Sequence, residues 1–128
     1  MSDAYLGNPN LKKVNTPVEF TKEQIEEYQK CAQDPIYFMK NYIQIVSLDD
    51  GLVPFKMYGF QEKIVNTMHN NRFTICKLPR QSGKSTTVIS YLLHYALFNP
   101  NSNIALLANK SSTARDILSR LQLAYENL

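Results

Sequence analysis

Apolar residues recur with a helical period from about residue 22 to residue 42. They cluster as in strands from 43 to 55, and the two patterns then alternate to the end of the chain. Residues 1–19 show neither period and contain Gly7, Pro9 and Pro17, so residues 1–20 are expected to be a loosely held, flexible arm. Thr21-Lys22-Glu23-Gln24 is a capping box, with Phe20 and Ile25 at the hydrophobic-staple positions. It predicts a helix from Lys22 to Gln33 that buries Ile25, Tyr28 and Ala32. Asp34-Pro35 ends that helix and starts another, with Asp34 as N-cap and Pro35 at the first helical position. The second helix carries Ile36, Met39 and Tyr42.

Ile43 to Leu48 is β-rich, Asp49-Asp50-Gly51 follows, and Leu52-Val53-Pro54-Phe55 comes next. This is a hairpin signal with Gly51 at positive φ. Beyond it, a helix runs through Ile64, Val65 and Met68 to about Asn70. A strand is expected over Phe73–Leu78, and a largely buried helix over Ser85–Phe98 carrying Val88, Ile89, Leu92, Leu93, Ala96 and Leu97. After the turn Asn99-Pro100-Asn101-Ser102, the run Asn103–Asn109 reads as a strand covered on both faces. A last helix begins near Thr113, with Ala114, Ile117, Leu118, Leu121, Tyr125 and Leu128 on one face. Residues 72–128 therefore spell β-loop-α-β-α, a right-handed parallel crossover with a loop at the carboxyl end of its first strand.

That loop is Leu78-Pro79-Arg80-Gln81-Ser82-Gly83-Lys84-Ser85. A Gly-Lys-Ser between strand and helix is a phosphate-binding arrangement, because the first helical N–H groups and the helix dipole face an anion there. Gly83 frees the turn of a Cβ, Lys84 can reach β/γ-phosphates, and the Ser85 hydroxyl can sit on Mg²⁺. The usual pattern begins with Gly, and Leu78 stands in that place.

Charge sharpens the picture. Residues 1–71 hold 7 Lys/Arg against 9 Asp/Glu, and residues 72–128 hold 7 against 2, so the half with the loop is the basic half. The overall +3 is too small to argue for nucleic acid by itself. Cys31 and Cys76 lie on apolar segments without metal-like spacing and are expected to be buried, reduced thiols. His69 and His94 are single and far apart, no apolar run is long enough to span a membrane, and the polar start Met1-Ser2-Asp3 is not expected to be a signal peptide.

Met57-Tyr58-Gly59-Phe60-Gln61 places an aromatic and a Gln upstream of the loop, with Gln61 lying 23 residues before Lys84. A side-chain amide both donates and accepts, as the N6/N7 edge of adenine requires, and an aromatic can stack on the base. Gln61 at the exposed start of an ordinary amphipathic helix is the competing reading. A magnesium-binding strand ending at Asp49-Asp50 is set aside, because Gly51 follows at once and Gln44 and Ser47 interrupt the apolar run.

Arg80-Gln81-Ser82-Gly83-Lys84-Ser85 resembles the divergent Walker A loop of the large terminase subunit of tailed bacteriophages, the ATPase motor that packs DNA into a prohead. Asn41-Tyr42-Ile43, Asp50-Gly51-Leu52-Val53-Pro54-Phe55 and Tyr58-Gly59-Phe60-Gln61 look like the segment before that loop in the T-even-type myovirus group. Ile104–Lys110 looks like the strand and loop after it, comparable to helicase motif Ia. The resemblance covers roughly residues 17–128 and accounts for Leu78, since these loops lack the first Gly. It implies an α/β fold: a P-loop NTPase (RecA/ASCE-like) parallel sheet, incomplete, preceded by a helical segment and hairpin over 21–57, with the ATPase portion over 58–128.

The resemblance also implies ATP and Mg²⁺ as cofactors. Nucleotide contacts are expected from Phe60, Gln61, Pro79, Arg80, Gln81, Ser82, Gly83, Lys84, Ser85 and Thr86. Lys84 and Arg80 are the expected catalytic groups and Ser85 the metal ligand. A guanidinium at Arg80 can donate two hydrogen bonds to developing phosphoryl charge, or serve as a phosphate sensor or structural ion pair. Implied partners are double-stranded DNA, the portal protein and the small terminase subunit. The implied setting is a homo-oligomeric ring in the cytoplasm of an infected bacterium, with no membrane contact.

No apolar strand ending in Asp-Glu follows residue 109, and no nuclease domain is present. The expectation is the N-terminal part of a longer motor, as a shortened chain, a partial sequence or one half of a split gene, with little turnover by itself. A superfamily 2 helicase-type ATPase and a non-catalytic docking module for portal or small terminase are the alternatives.

Overall fold

In the computed structural model, which describes residues 4–128, helix α4 (Lys84–Phe98) packs against α2 (Pro35–Tyr42), α3 (Gly59–Asn70) and α5 (Ser111–Glu126). Helix α1 (Lys22–Gln33) packs on α2. The fold is mixed α/β, with five helices and two small antiparallel sheets among the described residues. One sheet pairs β1 (Ala4–Tyr5) with β2 (Asn8–Lys12), where a loose arm was expected, through a turn with Leu6 and Gly7 at positive φ. The other pairs β3 (Gln44–Ser47) with β4 (Gly51–Pro54), as the sequence predicts. Gly51 has φ 71°, and Ile45 faces Val53 across the ladder. No described helix is long and apolar enough to cross a membrane.

The helix starts follow local chemistry. Thr21 Oγ1 accepts from Gln24 N–H at 3.2 Å, and Gln24 Oε1 accepts from Thr21 N–H at 3.0 Å. Asp34 Oδ1 takes the N–H groups of Ile36 and Tyr37, with Pro35 in the position whose missing N–H costs nothing. A Lys40–Glu62 ion pair ties α2 to α3.

The core gathers Cys31, Phe38, Met39, Ile43, Phe55, Val65, Tyr91 and Leu93, with Ala124 of α5 closing it. Helix α1 turns a different face inward than its apolar spacing predicts. Ile25 and Tyr28 are exposed, Cys31 is buried, and Glu27 is half-buried. The reason is the Glu27 carboxylate, whose Oε1 accepts from the hydroxyls of Tyr37 at 2.7 Å and Tyr42 at 2.8 Å. Charge-assisted bonds of this kind outweigh the burial of one marginal apolar face. Helix α4 is buried on one side rather than all round, leaving Ala96 and Leu97 exposed.

Neither Phe73–Leu78 nor Asn103–Asn109 belongs to a strand, so the described residues form no parallel sheet. Their apolar pattern suits a covered strand, but a strand needs a hydrogen-bonded neighbour. These two do not pair with each other, and Phe73, Ile75 and Leu107 stand 82%, 98% and 88% exposed. Cys76, expected to be buried, is exposed for the same reason.

His94 is buried, with Nε2 donating to the Cys31 carbonyl at 2.7 Å and its ring between Phe38 and Phe98. Burial pushes its pKa below the ordinary 6.5, more than the Cys31 carbonyl raises it. The unfolded chain therefore binds a proton at pH values where the folded chain does not. The stability this group contributes is complete above its ordinary pKa and is lost as pH falls below it. Urea titrations at about pH 7.5 and about 5.5 should show a lower midpoint at the acid value, with most of the difference gone in His94→Gln. An unchanged difference in the variant would contradict this assignment.

Candidate functional site

Gly83 is the N-cap of α4, with φ 74° and ψ 15° in the left-handed region, and Gln81 is also left-handed at φ 57°. Left-handed residues in a tight loop turn successive N–H groups toward one side and make an anion-binding concavity. The first helical bond runs from Thr87 N–H to the Gly83 carbonyl at 3.0 Å. The N–H groups of Lys84, Ser85 and Thr86 therefore have no acceptor within the helix, and no side chain caps them. Ser82 Oγ donates to the Pro79 carbonyl at 2.9 Å and steadies the loop from inside.

Lys84 Nζ donates to the Leu78 carbonyl at 3.3 Å, folding its ammonium back onto the first residue of the loop. A neutral carbonyl is a weak partner for an ammonium compared with a phosphate oxygen. Arg80 is exposed and takes part in none of the ion pairs of the described residues. Ser85 is exposed in the first turn.

Gln61 is only 3% exposed, so it is not the solvated start of an amphipathic helix. Its Oε1 accepts from Tyr58 N–H at 2.8 Å, and its Nε2 donates to the Gly83 carbonyl at 3.4 Å. The same carbonyl takes the Thr87 hydroxyl at 2.8 Å. One amide thus fixes the start of α3 and the start of α4 to each other. Each end of it keeps capacity for one further hydrogen bond.

An open cleft of 770 Å³ lies in front of this junction. Phe60, Gln61, Gln81, Ser82, Gly83 and Thr86 line it, which brings six of the sequence-predicted residues to one place. Pro79, Arg80, Lys84 and Ser85 are not part of its lining. Ser47 and Asp50 of the hairpin also line it, with Lys56 and Tyr58. The Tyr58 and Phe60 rings are parallel within 7°, with centroids 5.9 Å apart, and both are exposed. Sequence reasoning singled out Phe60 and passed over its neighbour; the Tyr at i−2 was the available signal. The hairpin wall had no signal, because only tertiary packing brings it to the loop. The volume is that of a small-molecule site, with apolar flat surfaces at one part and amide donors at another.

No group of three or more His, Cys, Asp or Glu among the described residues is placed to hold a metal ion. A divalent ion here would need oxygens from an anionic ligand besides the Ser85 hydroxyl, as Mg²⁺ at nucleotide sites commonly has. No protein-family model matches the chain.

A Cβ at position 83 would meet Gln61 Nε2 at 2.7 Å and would also force a left-handed non-glycine residue. Gly83→Ala should destabilise the chain by roughly 1–3 kcal/mol in denaturant unfolding. Adding Gln61→Ala should relieve the collision but not the backbone cost, so the two effects should be non-additive. A Gly83→Ala chain as stable as the parent would contradict the geometry of the junction.

Proposed function

We propose that this chain binds ATP with Mg²⁺ and is the nucleotide-binding portion of a DNA-packaging motor of the kind the terminase-like loop implies. The observation that carries the proposal is the row of uncapped N–H groups at Lys84, Ser85 and Thr86, next to a cleft with an aromatic pair. Anion binding at such a terminus needs only backbone amides and the helix dipole. Phosphates seated there would draw the Lys84 ammonium away from the Leu78 carbonyl. Ser85 would add its hydroxyl to the metal, and the exposed Arg80 would be free to swing onto the γ-phosphate. The base would lie toward Tyr58 and Phe60, with the remaining capacity of the Gln61 amide available to its edge.

The parallel sheet of a P-loop NTPase belongs to the same proposal. Asn71 and Arg72, which lead into one unpaired stretch, and Asn103–Ala105, in the other, line a single cleft with Tyr91, Leu92 and Tyr95 of α4. Strands added there would cover the exposed Phe73 and Ile75 and convert both stretches into ladder members.

Titration with a fluorescent ATP analogue tests the reading. Binding should require Mg²⁺ for full affinity. It should weaken by about tenfold or more in Lys84→Ala, the loss of one charge-assisted hydrogen bond. Absence of nucleotide affinity in the parent chain, with residues 1–33 sufficient to capture portal or small terminase, would instead favour the docking-module reading.

A further inference from the structure

The far end of α4 carries a second organised group of side chains. Phe98 closes that helix, and with a rise of 1.5 Å per residue it lies about 21 Å from Lys84. There, Tyr28, Phe38, Tyr42 and Phe98 surround a depression of 290 Å³ whose one acidic lining group is Glu27. The rings are packed on each other. Tyr28 and Phe98 centroids are 5.0 Å apart, Phe38 meets Phe98 edge-on at 5.6 Å, and Phe38 and Tyr42 are stacked at 6.0 Å. Tyr28 is 60% and Tyr42 37% exposed, so aromatic surface faces water rather than the core.

The carboxylate is held in place from behind. Both tyrosine hydroxyls bond the same oxygen, Oε1, and among the described residues Oε2 has the Lys30 ammonium at 3.7 Å. That distance is beyond a hydrogen bond, and Lys30 is largely exposed, so this contact is weak. The tyrosine bonds keep Glu27 below the ordinary carboxylate range, and Tyr42 is pushed up to about 12 by its bond to Glu27. A fixed negative oxygen beside open π-faces complements a cation with a flat, apolar-tolerant head. Guanidinium fits this better than ammonium, because it stacks on rings while its edge N–H groups reach a carboxylate.

We propose that this pocket receives an arginine side chain presented by a partner protein, with the guanidinium stacked on Tyr28 and hydrogen-bonded to Glu27 Oε2. Lys30 is displaced toward solvent when the arginine enters. The proposal does not depend on nucleotide binding, since none of these residues lines the cleft at the phosphate loop.

The test uses the whole 128-residue chain and the capped peptide acetyl-Gly-Arg-Gly-amide, followed by NMR shifts of α1 and α2 amides. The uncharged citrulline peptide and the Lys peptide serve as controls. Shifts should cluster around residues 24–31 and 38–42, and the citrulline peptide should bind about tenfold more weakly or not at all. Glu27→Gln keeps a neutral acceptor for both tyrosines, so it should lower the unfolding midpoint but leave the chain folded, and should weaken arginine binding by a similar factor of about ten. Tyr28→Ala removes an exposed ring and should also weaken it. Equal binding of arginine and citrulline, a Lys peptide that binds as well as Arg, affinity unchanged in both variants, or shifts confined elsewhere would each overturn the proposal.

Discussion

The Gly83 carbonyl is the point on which the rest of the structure turns. It accepts from the backbone of Thr87, the hydroxyl of Thr87 and the side-chain amide of Gln61. The Gln61 contact is the longest, at 3.4 Å, and a neutral bond of that length adds little by itself. Its importance lies in burial. An amide with 3% exposure that loses a partner is left desolvated, which costs about 1–3 kcal/mol. The buried amide therefore demands both of its contacts, and together they set α3 against α4. The close approach is possible only because residue 83 has no Cβ. The uncapped amides at the start of α4 and the curl of the loop before it meet α3 at that one junction.

Helix α4 connects the two sites. Its first turn exposes backbone donors, its middle supplies Tyr91 and Leu93 to the core, and its last residue forms part of the aromatic depression. His94 adds a buried hydrogen bond to α1, close to Glu27 in sequence through Cys31. The buried polar side chains of these helices, Gln61, Thr87, Ser90 and His94, each make a hydrogen bond, whereas among the described residues the Thr74 hydroxyl, outside the helices, is buried without a partner.

Local signals were legible in the sequence wherever the chemistry was local. The capping box at Thr21, the Asp34-Pro35 start, the Gly51 hairpin and the start of α4 at Gly83-Lys84 all depend on residues a few positions apart. The misses arise where distant residues decide. Glu27 looks solvated in a one-dimensional pattern, yet two tyrosines 10 and 15 residues away draw it in and rotate α1 with it. The stretches at 73–78 and 103–109 have strand composition, but composition cannot supply a neighbour. At the cleft, Gln81, Ser82, Gly83, Thr86, Gln61 and Phe60 could be picked out from the sequence, whereas Pro79, Arg80, Lys84 and Ser85 were expected with them and do not line it. The hairpin wall with Asp50 and Ser47 could not, because nothing in its sequence refers to the loop.

The central claim is that the backbone at the start of α4 is an anion seat. Amide chemical shifts recorded while MgATP is titrated into the chain test it most directly. The largest shifts are predicted at residues 82–86, with smaller ones at Tyr58, Phe60 and Gln61. Shifts absent from residues 82–86, or appearing only at exposed lysines elsewhere, would contradict it.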